Sequence, residues 1–223
     1  MKPHITKALE DQMARHDCYK SNMSESEQDD LRRNAYLDMF WNIQDQNLQH
    51  YPDDRYWNIR RSMLARFGHA VPDEKALAIV ARYAPLIEIG AGRGYWAGLL
   101  QERGVDVIAF DAFPRWGDQE HPYKTGVRYS PVCKGSCDML AVYPRRNLLM
   151  IWPPPDDASF ASECLKSFKG EFVVFVGEGF GGCTGDNEFF GSLYADFVED
   201  IDHGIPQWDS LHDRLSVWRR KKK

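Results

Sequence analysis

Apolar residues recur with two different rhythms along the chain. Up to residue 70 or so they return at helical spacing, in the segments ITKALEDQMARHD, SESEQDDLRRNAYLDMFWNIQDQ and DDRYWNIRRSMLARFG. The second segment reads as one helix capped by Ser24, with Gln28 near the place of the reciprocal side chain of a capping box. In the third, Tyr56, Trp57, Ile59, Met63, Leu64 and Phe67 fall near one face. They read as core residues docking this helix onto the rest of the protein, with a substrate-lining lid as the other reading. Pro72 then opens PDEKALAIVARYA, an amphipathic helix with proline in its first turn.

From residue 85 the rhythm shortens. PLIEIG, VDVIAFD, VRYSPVC, NLLMIW and EFVVFVG are short, almost continuously apolar runs separated by helical stretches such as YWAGLLQERG, DASFASECLKSFKG and DNEFFGSLYADFV. Strands without polar alternation are buried on both faces, which predicts an α/β fold with an open, mostly parallel sheet of about seven strands. FVEDIDHGIPQWDSLHDRLSVWRR supplies the last two strands around a Gly-Pro loop, as an antiparallel hairpin. The expected organisation is a helical N-terminal arm or lid over 1–72 and a Rossmann-like domain over 73–223. AFPRWGDQEHPYKTG has two prolines and no helical period, so a loop is expected there beside the ligand edge, with Arg115, Trp116 and His121 available to line it.

Composition narrows the function classes. The formal net charge of −5 disfavours polyanion binding as the main activity, and the closing RRKKK reads as a solvated tail that leaves nucleic acid open but unlikely-looking by charge. Five cysteines without framework spacing are expected as buried or half-buried thiols in a reducing, cytoplasmic setting. Cys133 and Cys137 lack a second pair to complete a zinc site, so no metal is expected. The N-terminal residues have no apolar signal-like core, and no run approaches the ~18 apolar residues of a membrane span.

The candidate chemistry starts in EIGAGRGYW. The first strand runs into Gly90, Gly92 and Gly94, a helix follows, and Asp111 closes the next strand. Glycines admit a ligand close to the backbone, the helix start offers free N–H groups, and a terminal acid can accept two ribose hydroxyls. GRGYWA fits the dinucleotide pattern G-x-G-x-x-G/A, but that register gives Glu88 no task; E-x-G-x-G-x-G uses Glu88 and all three glycines.

EIGAGRGYW followed by VIAFD resembles the first two motifs of class I S-adenosylmethionine-dependent methyltransferases. The resemblance covers residues 85–220 and implies that fold, with its C-terminal antiparallel hairpin, and S-adenosyl-L-methionine as cofactor. It places Glu88 near the methionine amino group, Gly90, Gly92 and Gly94 along the ligand, and Asp111 on the ribose. Trp96, Ala112, Trp152 and Pro153 complete the expected cofactor-binding set.

Amino-group methyltransferases often carry Asp or Asn before the prolines of the next motif, where this chain has Trp152 before Pro153 and Pro154. An indole donates one hydrogen bond and accepts none, so it cannot hold a target N–H in that way. A small-molecule acceptor is therefore expected over nucleic acid. The second glycine-rich loop, GEGFGGCTGD, is read as a substrate-side loop, with Glu178 and Asp186 as candidate catalytic acids and helix capping as the alternative for Asp186. An NAD-dependent oxidoreductase and a non-catalytic scaffold of the same fold are the rival functions.

Overall fold

The computed structural model describes residues 7–46, 54–112, 126–155 and 159–222. Among these, helices α1 (Lys7–Arg15), α2 (Glu25–Arg32), α3 (Ala35–Asp45), α4 (Arg55–Phe67) and α5 (Glu74–Ala81) precede most of the sheet. The two-residue strand β1 (Cys18–Tyr19) lies among them. Then come β2 (Leu86–Ile89), α6 (Tyr95–Glu102), β3 (Val107–Asp111), β4 (Val132–Lys134), α7 (Met139–Val142) and β5 (Asn147–Ile151). The chain closes with α8 (Phe160–Ser167), β6 (Phe172–Gly177), α9 (Asn187–Asp196), β7 (Phe197–Gly204) and β8 (Arg214–Arg220).

All the strands join one eight-stranded sheet in the order β1-β4-β3-β2-β5-β6-β8-β7. The central pairs β4–β3, β3–β2, β2–β5 and β5–β6 are parallel, and β8 runs antiparallel to both β6 and β7. This is the expected open sheet with its terminal hairpin, plus one unexpected strand. β1 pairs antiparallel with β4, Cys18 opposite Cys133, and brings the helical segment onto the sheet edge. Two residues carry too little period to be read as a strand.

Side-chain alternation within the strands sorts the core into two layers. Leu86, Val107, Ala109, Leu149 and Val174 face a cluster shared with α2 to α6, whereas Ile87, Ile108, Phe110, Leu148, Val173 and Phe175 face α7, α8 and α9. Helices α2 to α4 therefore cover one face of the sheet, with Tyr36, Phe40, Tyr56 and Phe67 buried in the same cluster as strand residues, while α1 packs with the other cluster through Ala8 and through His16 against Phe110. Of the aromatic stripe expected to dock α4, Tyr56 and Phe67 do so, while Trp57 stays half exposed with Arg60 over its ring.

Several local expectations need correction. The second helical segment breaks at Asn34, a left-handed residue with φ of 54° whose side chain donates to Pro72 O and accepts from Tyr95 Oη. The capping-box partner of Ser24 is Glu27, one residue earlier than Gln28. Asp73, not Pro72, begins α5: its side chain accepts from Ala76 N, and proline stands just before the cap. Four of the five cysteines are not thiols as expected, since Cys18–Cys133 and Cys137–Cys164 are disulfides; Cys183 belongs to neither. Both pairs join segments distant in sequence, which spacing alone could not reveal. The first three residues of the basic terminal run are engaged rather than a solvated tail. Arg219 pairs with Asp200, Arg220 donates to Gly170 O and Phe168 O, and Lys221 donates to the carbonyls of Tyr194 and Ala195 at the end of α9. A cation there offsets the negative end of the helix. The loop proposed over 112–126 lies, with Arg115, Trp116 and His121, outside the described residues apart from its first and last positions. Among the described residues no helix is long and apolar enough to cross a membrane.

Candidate active site

Strand order reverses at β2, because the chain goes next to β3 on one side and later to β5 on the other. Ligand crevices of open α/β sheets lie beyond the carboxyl ends of the strands at such a point. A cavity of about 660 Å³ sits there, within the range of small-molecule sites. Its walls come from the glycine loop after β2, the end of β3, the turn after β5 and the end of α4.

The glycine loop is shaped by two distinct demands. Gly92 has φ of 54°, and a Cβ added there would meet nothing within 4 Å, so this backbone faces open cavity. Gly94 has φ of 69°, but a Cβ there would come within 2.8 Å of Ser130 Cβ and 3.0 Å of Val132 Cγ2. Gly92 thus leaves room for a ligand, and Gly94 lets α6 start tight against the chain entering β4. Asp111 ties the loop to β3 by accepting a 2.9 Å hydrogen bond from Gly92 N at Oδ2.

Glu88 lies beneath this loop, 2 % exposed, and lines the cavity. Its Oε2 has no hydrogen-bond partner among the described residues. Burial, with Asp111 adding like charge, pushes its carboxyl up to about 8 against the opposing hydrogen bond of the Ala97 backbone. A buried carboxylate oxygen without a donor is unfavourable unless something else neutralises it.

Most of the remaining lining is apolar. Leu64, Phe67 and Ala70 come from the helical segment, Trp96 from α6, Ile151, Trp152, Pro154 and Pro155 from the β5 turn, and Phe160 from α8. The Trp96 indole donates to Ala70 O, fixing the chain after α4 against α6. Trp152 has φ of 52°, a left-handed conformation unusual for a bulky residue and a mark of local strain. It is held by its own N–H to Val176 O at 2.7 Å and by its indole N–H to Asp213 Oδ1 at 2.7 Å. His69 lies flat against it, ring centroids 4.2 Å apart and planes 14° from parallel.

Of the residues the sequence singled out, Glu88, Gly90, Gly92, Trp96, Asp111, Ala112 and Trp152 all line this cavity. Gly94 and Pro153 do not; Pro153 instead accepts Gly185 N at its carbonyl. The two candidate catalytic acids are also elsewhere. Glu178 accepts Cys183 N at Oε2 and His212 N at Oε1, closing its own loop. Burial works against its ionised form, yet these N–H donors hold the carboxyl below the ordinary range. Asp186 caps α9 through Phe189 N and also receives Ser162 N from α8. None of residues 178–186 lines the cavity, so the second glycine loop is a closed structural turn beside it. Sequence reasoning missed His69, and it held the end of α4, Leu64 and Phe67 included, as a substrate-lining lid only in its second reading. A lone histidine after a helix carries no signal until the fold sets it against Trp152. Among the described residues no three His, Cys, Asp or Glu side chains are grouped to hold a metal.

No family model matches the chain, and no curated protein matches it. Solved structures do show likeness. The 1,6-didemethyltoxoflavin-N1-methyltransferase of Burkholderia thailandensis, with its bound substrate and S-adenosylhomocysteine, is 15% identical over 94% of this chain and 97% of its own, with a TM-score of 0.45. TehB from Haemophilus influenzae is 9% identical over 73% of this chain and 67% of its own, at 0.43. TrmK from M. capricolum, bound to S-adenosylhomocysteine, is 11% identical over 68% and 70%, at 0.38. These likenesses are remote, and the functional reading rests on the cavity itself.

Proposed function

We propose that the protein is an S-adenosylmethionine-dependent methyltransferase acting on a small molecule. The observation that carries the reading is the unpartnered, buried Oε2 of Glu88 in the cavity wall, with Asp111 beside it. A ligand bearing ammonium and sulfonium groups brings positive charge to the buried Glu88 carboxyl, whereas a pyrophosphate would meet like charge. The sheet supports the same choice, because dinucleotide-binding sheets of order 3-2-1-4-5-6 do not insert an antiparallel strand between their last two, as β8 is inserted here.

When bound, the cofactor supplies an electrophilic methyl group. Glu88 would balance its amino group, the open backbone at Gly92 would pass along it, and Asp111, braced by Gly92 N, would receive the ribose hydroxyls. The apolar wall of Trp96, Trp152, Pro154 and Phe160 would exclude water from the transfer and fix the acceptor's approach, so that positioning supplies much of the rate. Trp152 has committed its one donor to Asp213 and offers no acceptor, which argues against holding a base or amide N–H there. The engaged basic strand end and the mostly apolar cavity favour a small acceptor over a polyanion.

Calorimetric titration with S-adenosylmethionine, S-adenosylhomocysteine and NAD tests the assignment. Micromolar binding of the first two without NAD is expected; NAD binding alone would replace the reading with an oxidoreductase. Labelled methyl transfer into fractionated cell extract then tests the acceptor, and label in the nucleic-acid fraction would overturn the small-molecule assignment.

A further inference from the structure

His69 lines the cavity from the turn after α4, and among the described residues nothing hydrogen-bonds its ring nitrogens. Its carbonyl and that of Gly68 both receive the Tyr36 hydroxyl, at 3.3 Å and 3.0 Å, which anchors the backbone. Its ring is set by the parallel stack on Trp152, itself fixed by Asp213 and by Val176 O. Among the described residues neither ring nitrogen makes a hydrogen bond, although the residue is half-buried and lines the cavity. An imidazole held this firmly from both ends, with its polar edge unused beside an otherwise apolar wall, is suited to a ligand's donor.

We propose that His69 is the acceptor-binding and proton-receiving residue of this cavity, and that the acceptor is a planar, largely apolar small molecule presenting a hydroxyl group. The inference rests on the methyltransferase reading and deepens it. Planarity follows from the aromatic lining of Phe67, Trp96, Trp152 and Phe160, against which a flat molecule stacks. An uncharged acceptor follows from the apolar remainder of the lining, where a carboxylate would go unsolvated.

The hydroxyl follows from proton chemistry. Burial, and then the charge of Arg60, lower the His69 imidazolium to about 4. The ring is therefore neutral near pH 7 and keeps one lone pair for an incoming O–H. So weak a base cannot strip the ammonium left by methylating an alkylamine, whose acidity resembles that of lysine at ~10. An oxygen that has gained a methyl group while keeping its proton is a strong acid, and a weak base suffices. In the balanced step the acceptor oxygen bonds the methyl carbon as the carbon–sulfur bond breaks, and that bonding pair stays on the sulfonium sulfur, which becomes a thioether. The hydroxyl proton passes to the His69 lone pair and then to bulk water.

The test uses the full chain saturated with S-adenosylhomocysteine, and 4-methylphenol, which keeps its proton at pH 7, with its methyl ether 4-methylanisole as probes. Wild type should bind the phenol about tenfold more tightly than the ether, the difference one hydrogen bond makes. His69→Phe keeps a ring against Trp152 and should abolish that preference, and His69→Gln, with an amide oxygen as acceptor, should retain part of it. Both variants should bind S-adenosylhomocysteine as wild type does, which also certifies their fold. Equal binding of the two probes by wild type, or a preference that survives His69→Phe, would overturn the proposal, as would failure of wild type to bind either probe. If S-adenosylhomocysteine itself does not bind while the phenol preference persists without it, the cofactor assignment falls and the His69 site stands.

Discussion

The indole N–H of Trp152 donates a 2.7 Å hydrogen bond to Oδ1 of Asp213, a carboxylate with no solvent exposure whose other oxygen has no partner among the described residues. Asp213 thus holds the cavity's strained aromatic from behind, without itself lining the cavity. Burial, with Glu178 nearby, raises its carboxyl from the ordinary 3.8 to about 6 despite the Trp152 bond. A carboxyl raised in the folded state contributes stability that is complete below its unfolded pKa and lost as pH rises through the folded value. Asp213→Asn, which keeps an oxygen for the indole, should remove the loss of stability that wild type shows between about pH 4 and 6. Denaturant melts of both proteins across that interval check it. Asp213→Ala should instead destabilise at every pH, by about 1–3 kcal/mol, because it leaves a buried donor unmatched.

Glu88 follows the same sign over a wider interval. Its carboxyl, raised to about 8, makes the ligand-free protein lose stability as pH climbs from the ordinary carboxylate range through 8. Glu88→Gln should flatten this slope and weaken S-adenosylmethionine binding by about ten- to a hundredfold, the value of a charge-assisted contact. A cationic ligand favours the ionised carboxylate, so binding at pH 7 should release close to one proton. Calorimetry in buffers of different ionisation enthalpy measures that release directly.

The glycines of the loop should separate function from folding. Gly92→Val puts a β-branched residue at φ of 54° with its Cβ in open cavity. It should stay folded at a cost of about 1–3 kcal/mol in backbone strain and lose ligand binding. Gly94→Val meets Ser130 and Val132 as well as an unfavourable φ of 69°, and should be markedly less stable than Gly92→Val. Thermal melts beside titrations distinguish the two; equal stability would contradict the packing role of Gly94.

Tyr36 links the arm to both ends of the molecule. It is fully buried, and its hydroxyl accepts Trp208 Nε1 at 2.9 Å while donating to Gly68 O. Tyr36→Phe should cost about 1–3 kcal/mol and free the Gly68–His69 turn. Hydrogen exchange at the amides of Gly68, His69 and Ala70 should accelerate more than that of the central strands, which report global opening.

The parts of this protein that obey a period were open to sequence reading, and those made by distant partners were not. Strand, glycine turn, helix, strand and acid from Leu86 to Asp111 follow local rules, so the sheet's centre and one wall of the cavity were legible. The break at Asn34 was not, because a left-handed asparagine bonded to Pro72 and Tyr95 leaves the helical pattern intact on both sides. Glu178 and Asp186 had the residue type and sheet edge of catalytic acids. Which groups they face depends on how their loop folds back, and the groups are backbone N–H donors. His69 needed the opposite information, namely that Trp152 would turn its face toward the end of α4.

The cavity is assembled from two independently variable halves. One half, Glu88 to Gly92 with Asp111, belongs to the sheet and its first loop; the other, Leu64 to Ala70, belongs to the helix laid across them. A lineage could therefore exchange the chemistry it acts upon by rewriting a handful of positions at the end of α4 while the donor half stays untouched. Chimeras that transplant only residues 60–70 between diverged copies would inherit the acceptor of one parent and the donor of both.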